Sequence, residues 1–160
     1  MTVTGTRETQ ITLDEDVPLV RITREFDAPP EKVFRAHTDP DLVVQWLGPR
    51  GYEMRIGHYD CRTGGSYRYL HVSDGEEYGF FGSFHEVRPS ELLVQTFTFE
   101  GMPDGVALER LVLEDVGGGR TRLTTTSLVD SFEARDAFVA SGMEVGIRES
   151  YERLDELLAA

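Results

Sequence analysis

Four histidines, one cysteine and a set of scattered carboxylates are the residues of this 160-residue chain best suited to chemistry. With Thr63-Gly64 as the centre of a hairpin turn, His58 opposes Tyr69, Ile56 opposes His71, and Asp60 opposes Tyr67. His58 and His71 then stand diagonally on one face, about 7 Å apart at the backbone. Such a pair could move a proton, with Asp60 as a further carrier, or ligate a metal. The plain alternative is two rings hydrogen-bonded to Tyr69 and Tyr78 at the mouth of a sheet. His85 falls at the far end of the same meander, opposite Val94, so a three-histidine metal site is not expected. His37 sits at helical spacing with Val33 and Phe34 and reads as a packed residue. Cys61, the one cysteine, excludes an internal disulfide and a multi-cysteine zinc site. Arg62 beside it could lower its pKa, but no histidine is arranged to activate it. Gly117–Gly119 lies between strands and opens no helix, so it is a hairpin tip and not a phosphate loop. No Ser-His-Asp order is recognisable, and no motif calls for a metal or a cofactor.

A second group of residues suits binding better than catalysis. With Asp74-Gly75 and Pro89-Ser90 as further turns, Tyr69 opposes Phe80, His71 opposes Tyr78, and Phe80 opposes Phe99. One face of the sheet then carries Tyr67, Tyr69, Tyr78, Phe80, Phe97 and the two histidines, and it is read as the concave face. The opposite face carries Arg55, Arg68 and Glu77, as solvent requires, but also Leu70, Val72 and Phe81. Arg24 shares the parity of Val20, Ile22 and Phe26, and a buried arginine needs a carboxylate. Asp60 and Glu86 are the candidates for that partner. Arg24 and Glu86 thus form either a polar anchor for a ligand or a structural ion pair. Trp46 closes a short helix and either stacks on a flat ligand or plugs the core. Met54 and Met143, facing each other, would line a cavity adaptably or simply pack.

The elements that position these residues follow from periodicity and turn chemistry. Residues 1–16 show no sustained pattern and are expected to be a loose arm, with a single domain over 17–160. Residues 17–26 alternate as a strand, and Pro29-Pro30 opens a helix over 31–38. A second short helix follows over 40–47. Six strands are read at 52–61, 66–73, 77–88, 91–100, 107–116 and 120–129, with connections short enough to demand antiparallel neighbours. A long helix covers 132–159, with Met143, Ile147, Tyr151, Leu154 and Leu158 as its apolar stripe. Gly142, Gly146 and Ser150 run beside that stripe. They suggest a close approach, with Gly82 beneath a glycine, or a void.

Composition limits the partners. The chain carries 16 basic and 29 acidic residues, a net charge of −13, with no concentrated basic patch. That charge repels polyanions, so neither nucleic acid nor an anionic membrane is an expected partner. No apolar run reaches the ~20 residues that span a bilayer, and the polar start is expected of a cytoplasmic protein.

The order strand, two short helices, six antiparallel strands, long helix resembles the helix-grip fold of the START/Bet v 1-like (SRPBCC) superfamily, an α+β class. It is most similar to the stand-alone bacterial branch related to the C-terminal domain of the heat-shock-protein-90 ATPase activator. The stretches carrying the resemblance are ITREFDAPPEKVFRAHTDPDLVVQWLGP (22–49), DCRTGGSYRY (60–69), FGSFHEVRPSELLVQTF (81–97), GGGRTRLTTT (117–126) and SGMEVGIRESYERLDELL (141–158). It implies a seven-stranded curved sheet gripping the last helix, with a cavity between them. Family members resemble lipid carriers, polyketide cyclases, resistance proteins and chaperone co-factors. The leading expectation is therefore a small hydrophobic ligand, flat and polyketide- or lipid-like, held by the aromatic face together with Met143 and Ile147. The alternatives are a cyclase- or hydrolase-type enzyme in the same pocket, and a co-chaperone-like interaction domain. The one fold is expected to take up these 160 residues without the activator's other domain, which weakens the chaperone reading. Exposed sheet edges allow a homodimer.

Overall fold

Alternating burial along β2 (Leu19–Phe26), with Val20, Ile22, Arg24 and Phe26 all buried, shows one sheet face turned inward from the first long strand. The computed structural model describes residues 8–160. After β2 come α1 (Pro30–Thr38) and α2 (Pro40–Trp46). The meander is β3 (Glu53–Tyr59), β4 (Ser66–Ser73), β5 (Glu76–Arg88), β6 (Leu92–Phe99), β7 (Ala107–Gly117) and β8 (Arg120–Leu128). Helices α3 (Phe132–Ala140) and α4 (Met143–Ala159) close the chain. Asp39 caps α2 by accepting from the Asp41 N–H, and Ser131 caps α3 by accepting from the Ala134 N–H. No helix among the described residues is long and apolar enough to cross a membrane.

Among the described residues the sheet has eight strands, not the expected seven. The additional one is β1 (Gln10–Leu13), inside the stretch expected to be a loose arm. It pairs antiparallel with β2, from Gln10 opposite Thr23 to Leu13 opposite Val20. Side chains from the helices secure the chain on either side of it. Arg148 donates to the Thr9 carbonyl at 2.6 Å, and Arg135 donates to the Asp14 carbonyl at 2.8 Å. An edge strand held by backbone bonds and distant arginines needs no sustained periodicity of its own. Residues 1–7 of the expected arm lie outside the described residues. All neighbours are antiparallel in the order β1-β2-β8-β7-β6-β5-β4-β3, so β1 and β3 are the two edges.

The expected long helix is divided. Gly142 adopts a left-handed conformation (φ +87°) between α3 and α4, which an L side chain adopts only with strain. Gly142 is therefore a break and not part of a small-residue stripe. A Cβ on Gly146 would meet only Pro49 Cγ, at 3.7 Å, so no tight crossing requires that glycine. Gly82 does not lie under α4 either. A Cβ there would strike the Thr96 carbonyl and the Tyr67 hydroxyl, within the sheet itself.

Helix α4 is seated mainly by its C-terminal half. Tyr151, Leu154 and Leu158 are buried, and Tyr151 meets Phe26 edge-on at 5.4 Å. Lys32 of α1 donates to the Leu158 carbonyl at 2.7 Å. The Gly48 N–H donates to Ser150 Oγ at 2.8 Å. Arg24 makes a two-pronged pair with Asp155 of α4, at 2.8 and 2.5 Å. The expected partners Asp60 and Glu86 are not involved. Asp155 faces the sheet from the opposite layer, a partnership that strand parity alone does not reveal.

Candidate ligand cavity

The N-terminal half of α4 and helix α3 stand off the sheet, and a cavity of about 290 Å³ lies between them. Trp46, Phe138, Met143, Ile147 and Tyr151 form its helical wall. Tyr69, Leu93, Phe97 and Leu111 are apolar parts of its sheet wall. The strand alternation that buries the core thus presents the same inward face to the empty space.

A polar row crosses that wall. Gln95 of β6 sits opposite Glu109 of β7, and Glu109 sits opposite Ser127 of β8. All three line the cavity. Gln95 donates to one Glu109 oxygen at 3.2 Å, and Ser127 donates to the other at 3.0 Å. Burial raises the Glu109 carboxyl above the ordinary glutamate range, while these two bonds pull it partly back. Tyr67 donates to the Thr96 carbonyl at 2.7 Å and lies 3.3 Å from the Gln95 amide, which extends the row.

Two histidines face the same space. His37 Nδ1 lies 2.8 Å from the Val33 carbonyl, which can only accept, so Nδ1 carries the proton. Burial lowers its pKa to about 4. Trp46 packs edge-on against that ring at 4.8 Å and donates its indole N–H to the Ala36 carbonyl. His71 is also driven down to about 4, first by burial, with the Leu47 backbone acting in the opposite direction. Its buried Nε2 has no hydrogen-bond partner. Gly48 (φ +109°) makes room for it, since a Cβ there would lie 2.7 Å from that nitrogen.

Of the residues expected around a ligand, Trp46, Tyr69, His71, Phe97, Met143 and Ile147 line the cavity. Phe80 does not, but it stacks at 5.4 Å on both Tyr69 and Phe97, which do. Met54 is buried in the core beside β4 and does not reach the space. Tyr78 turns its hydroxyl outward to Glu76 at 2.6 Å. His58 is exposed and bonded to Ser66 at 2.9 Å, so it forms no pair with His71. The cause is a bulge between Ile56 and His58, which leaves Ile56 opposite Tyr69 but His58 opposite Arg68. Asp60 pairs with Arg62 at 2.9 Å on the surface. Glu86 accepts from Thr63 at 3.1 Å and pairs with Arg88, away from Arg24. A second bulge at His85 puts Glu86 opposite Val94. The Cys61 thiol is pushed up to about 12 by burial and by Asp60, the reverse of an activated nucleophile. Among the described residues no group of three or more His, Cys, Asp or Glu could hold a metal ion.

The polar row escaped the sequence reading. Its signal was parity: Ala107, Glu109, Leu111 and Leu113 share one face of β7, and the other three are buried. A carboxylate in register with a buried apolar set is either paired or functional.

A single antiparallel sheet gripping a C-terminal helix, with a cavity between them, defines a helix-grip protein of the Bet v 1-like type. Residues 27–159 match the family described as Activator of Hsp90 ATPase homolog 1-like protein, and the chain belongs to that family. A crystal structure of a Rhodobacter sphaeroides protein is 31% identical, with a TM-score of 0.85, covering 94% of this chain and 97% of that one. A solution structure of an Arthrobacter aurescens protein is 27% identical, with a TM-score of 0.86, covering 94% and 91%. DynU16, from the dynemicin biosynthetic locus, shares the fold at 23% identity and a TM-score of 0.65, over 89% of this chain and 48% of its own. No curated protein gives a significant sequence match.

Proposed function

We propose that this protein binds a small, largely apolar and flat molecule in the cavity between the sheet and α4. The observation that carries the reading is the composition of the wall: aromatic and aliphatic faces interrupted by one row of polar groups, Gln95, Glu109 and Ser127. Concave, mostly apolar space with a few convergent polar groups is the usual form of a small-molecule site. At the ~0.75 packing density of protein interiors, 290 Å³ holds roughly a dozen or more non-hydrogen atoms. Tyr69 and Phe97 offer faces for a ring system, and the polar row fixes which end enters first. Native mass spectrometry of protein purified from its own host tests this. The expected result is a small-molecule adduct that is lost on denaturation. Protein that is bare from its host, and that takes up no member of an aromatic compound panel, would refute the reading.

A second reading keeps the pocket and adds chemistry. His71 and Glu109 are titratable groups lining one cavity, and burial displaces both, the histidine downward and the carboxyl upward. A cyclase or hydrolase would use such groups while the cavity holds a flexible chain in a reactive shape. In that case His71→Ala and Glu109→Gln abolish turnover and spare binding. The co-chaperone alternative draws on family membership alone.

A further inference from the structure

We propose that the ligand carries an amine, and that its ammonium group sits on Glu109. This rests on the cavity reading above and names the ligand's polar end. Neither group bonded to the Glu109 carboxyl is a cation: Ser127 donates to one oxygen and Gln95 to the other. Among the described residues no Lys, Arg or His forms a salt bridge with it. The buried arginine of the same sheet, Arg24 on β2, is already engaged by Asp155 of α4. The phenols Tyr67, Tyr69 and Tyr151 sense Glu109, and burial keeps each of them neutral. His71 on the same cavity is neutral too, its Nε2 buried and without a partner.

The result is one acidic group bordered by dipoles and aromatic faces, with no salt-bridged cation among the described residues to balance it. Glu109 is half-buried in the cavity wall, so folding has already removed part of this carboxyl's water and lowers what a cationic ligand must still displace. Trp46, Tyr69 and Tyr151 line the approach, and the faces of such rings attract cations. A net charge of −13 favours encounter with cations over anions.

Isothermal titration calorimetry at neutral pH with three probes of matched size and shape tests this: naphthylmethylamine, naphthylmethanol and ethylnaphthalene. The amine is expected to bind the unaltered protein about tenfold or more tighter than the alcohol, as a charge-assisted hydrogen bond requires. Glu109→Gln is expected to erase that preference while the alcohol binds with similar affinity. Equal affinity of alcohol and amine for the unaltered protein would overturn the proposal and leave the cavity reading standing. A preference that survives Glu109→Gln would overturn it as well. Failure of all three probes to bind would overturn both. The probe comparison in the unaltered protein decides the matter even if the variant does not fold.

Discussion

His37 and His71 are held as neutral rings with pKa values of about 4, and this ties stability to pH. Between about pH 4 and 6.5 the unfolded chain binds a proton at each histidine that the folded chain refuses. Unfolding then takes up protons, so stability rises with pH across that window and falls as the pH drops through it. For His37, 9% exposed, the loss amounts to about 3 kcal/mol at most once the window is crossed. Denaturant unfolding at several pH values should show a steep decline below about pH 6, and His37→Gln should flatten it. A pH-independent midpoint across that range would contradict the burial of these rings. Glu109 works in the opposite direction, since a carboxyl raised by burial is relieved by acid. The position of Glu109 was legible in principle from its parity with Leu111 and Leu113. Its role was not, because only strand pairing brings Gln95 and Ser127 to either side of it.

At the scale of elements, α4 is fastened to the sheet by Arg24–Asp155 and to the end of α2 by Ser150–Gly48. Arg24 is 5% exposed and Asp155 27%, so removing the carboxylate strands a nearly buried guanidinium. Asp155→Ala is expected to cost about 2–3 kcal/mol, less than for a fully buried pair because solvent reaches Asp155. Thermal melting should show this as a drop of roughly 5–10 °C. Replacing both partners with apolar residues should recover much of it. An Asp155→Ala midpoint within a degree of the parent would mean that the pair does not hold the helix. Turn chemistry explains which registers could be read in advance. Asp74 and Gly75 both have positive φ, as a tight two-residue hairpin requires, and Tyr69–Phe80 and His71–Tyr78 pair as expected. The preceding connection is instead a broad loop over 60–65, in which Gly64 donates to the Phe84 carbonyl. With the bulge at Gly57 it shifts the β3–β4 pairing and turns His58 outward.

For the whole molecule, the space between the layers is the feature on which function depends, and filling it separates a working cavity from a packing defect. Leu111 is 8% exposed and lines the space from the sheet side. Leu111→Phe should place a ring in the void, lower the affinity for any bound aromatic compound at least about tenfold, and keep or raise the melting temperature. Calorimetry and thermal melting read the two effects separately. Strong destabilisation with unchanged binding would show that the ligand lies elsewhere.

The class of fold was determined by local information: hydrophobic period, prolines and glycines at element ends, and connections too short for anything but antiparallel neighbours. The aromatic inward face was also written there, because strand alternation puts Tyr67, Tyr69, Phe80 and Phe97 on one side wherever the register holds. Three things belonged to tertiary structure alone. A bulge decides which histidine faces the cavity, since one inserted residue reverses every later side chain on that strand. The partner of Arg24 comes from a helix more than a hundred residues away. Glu109 becomes an uncompensated acid only when three strands and two helices enclose it, because desolvation is a property of the surroundings and not of the residue.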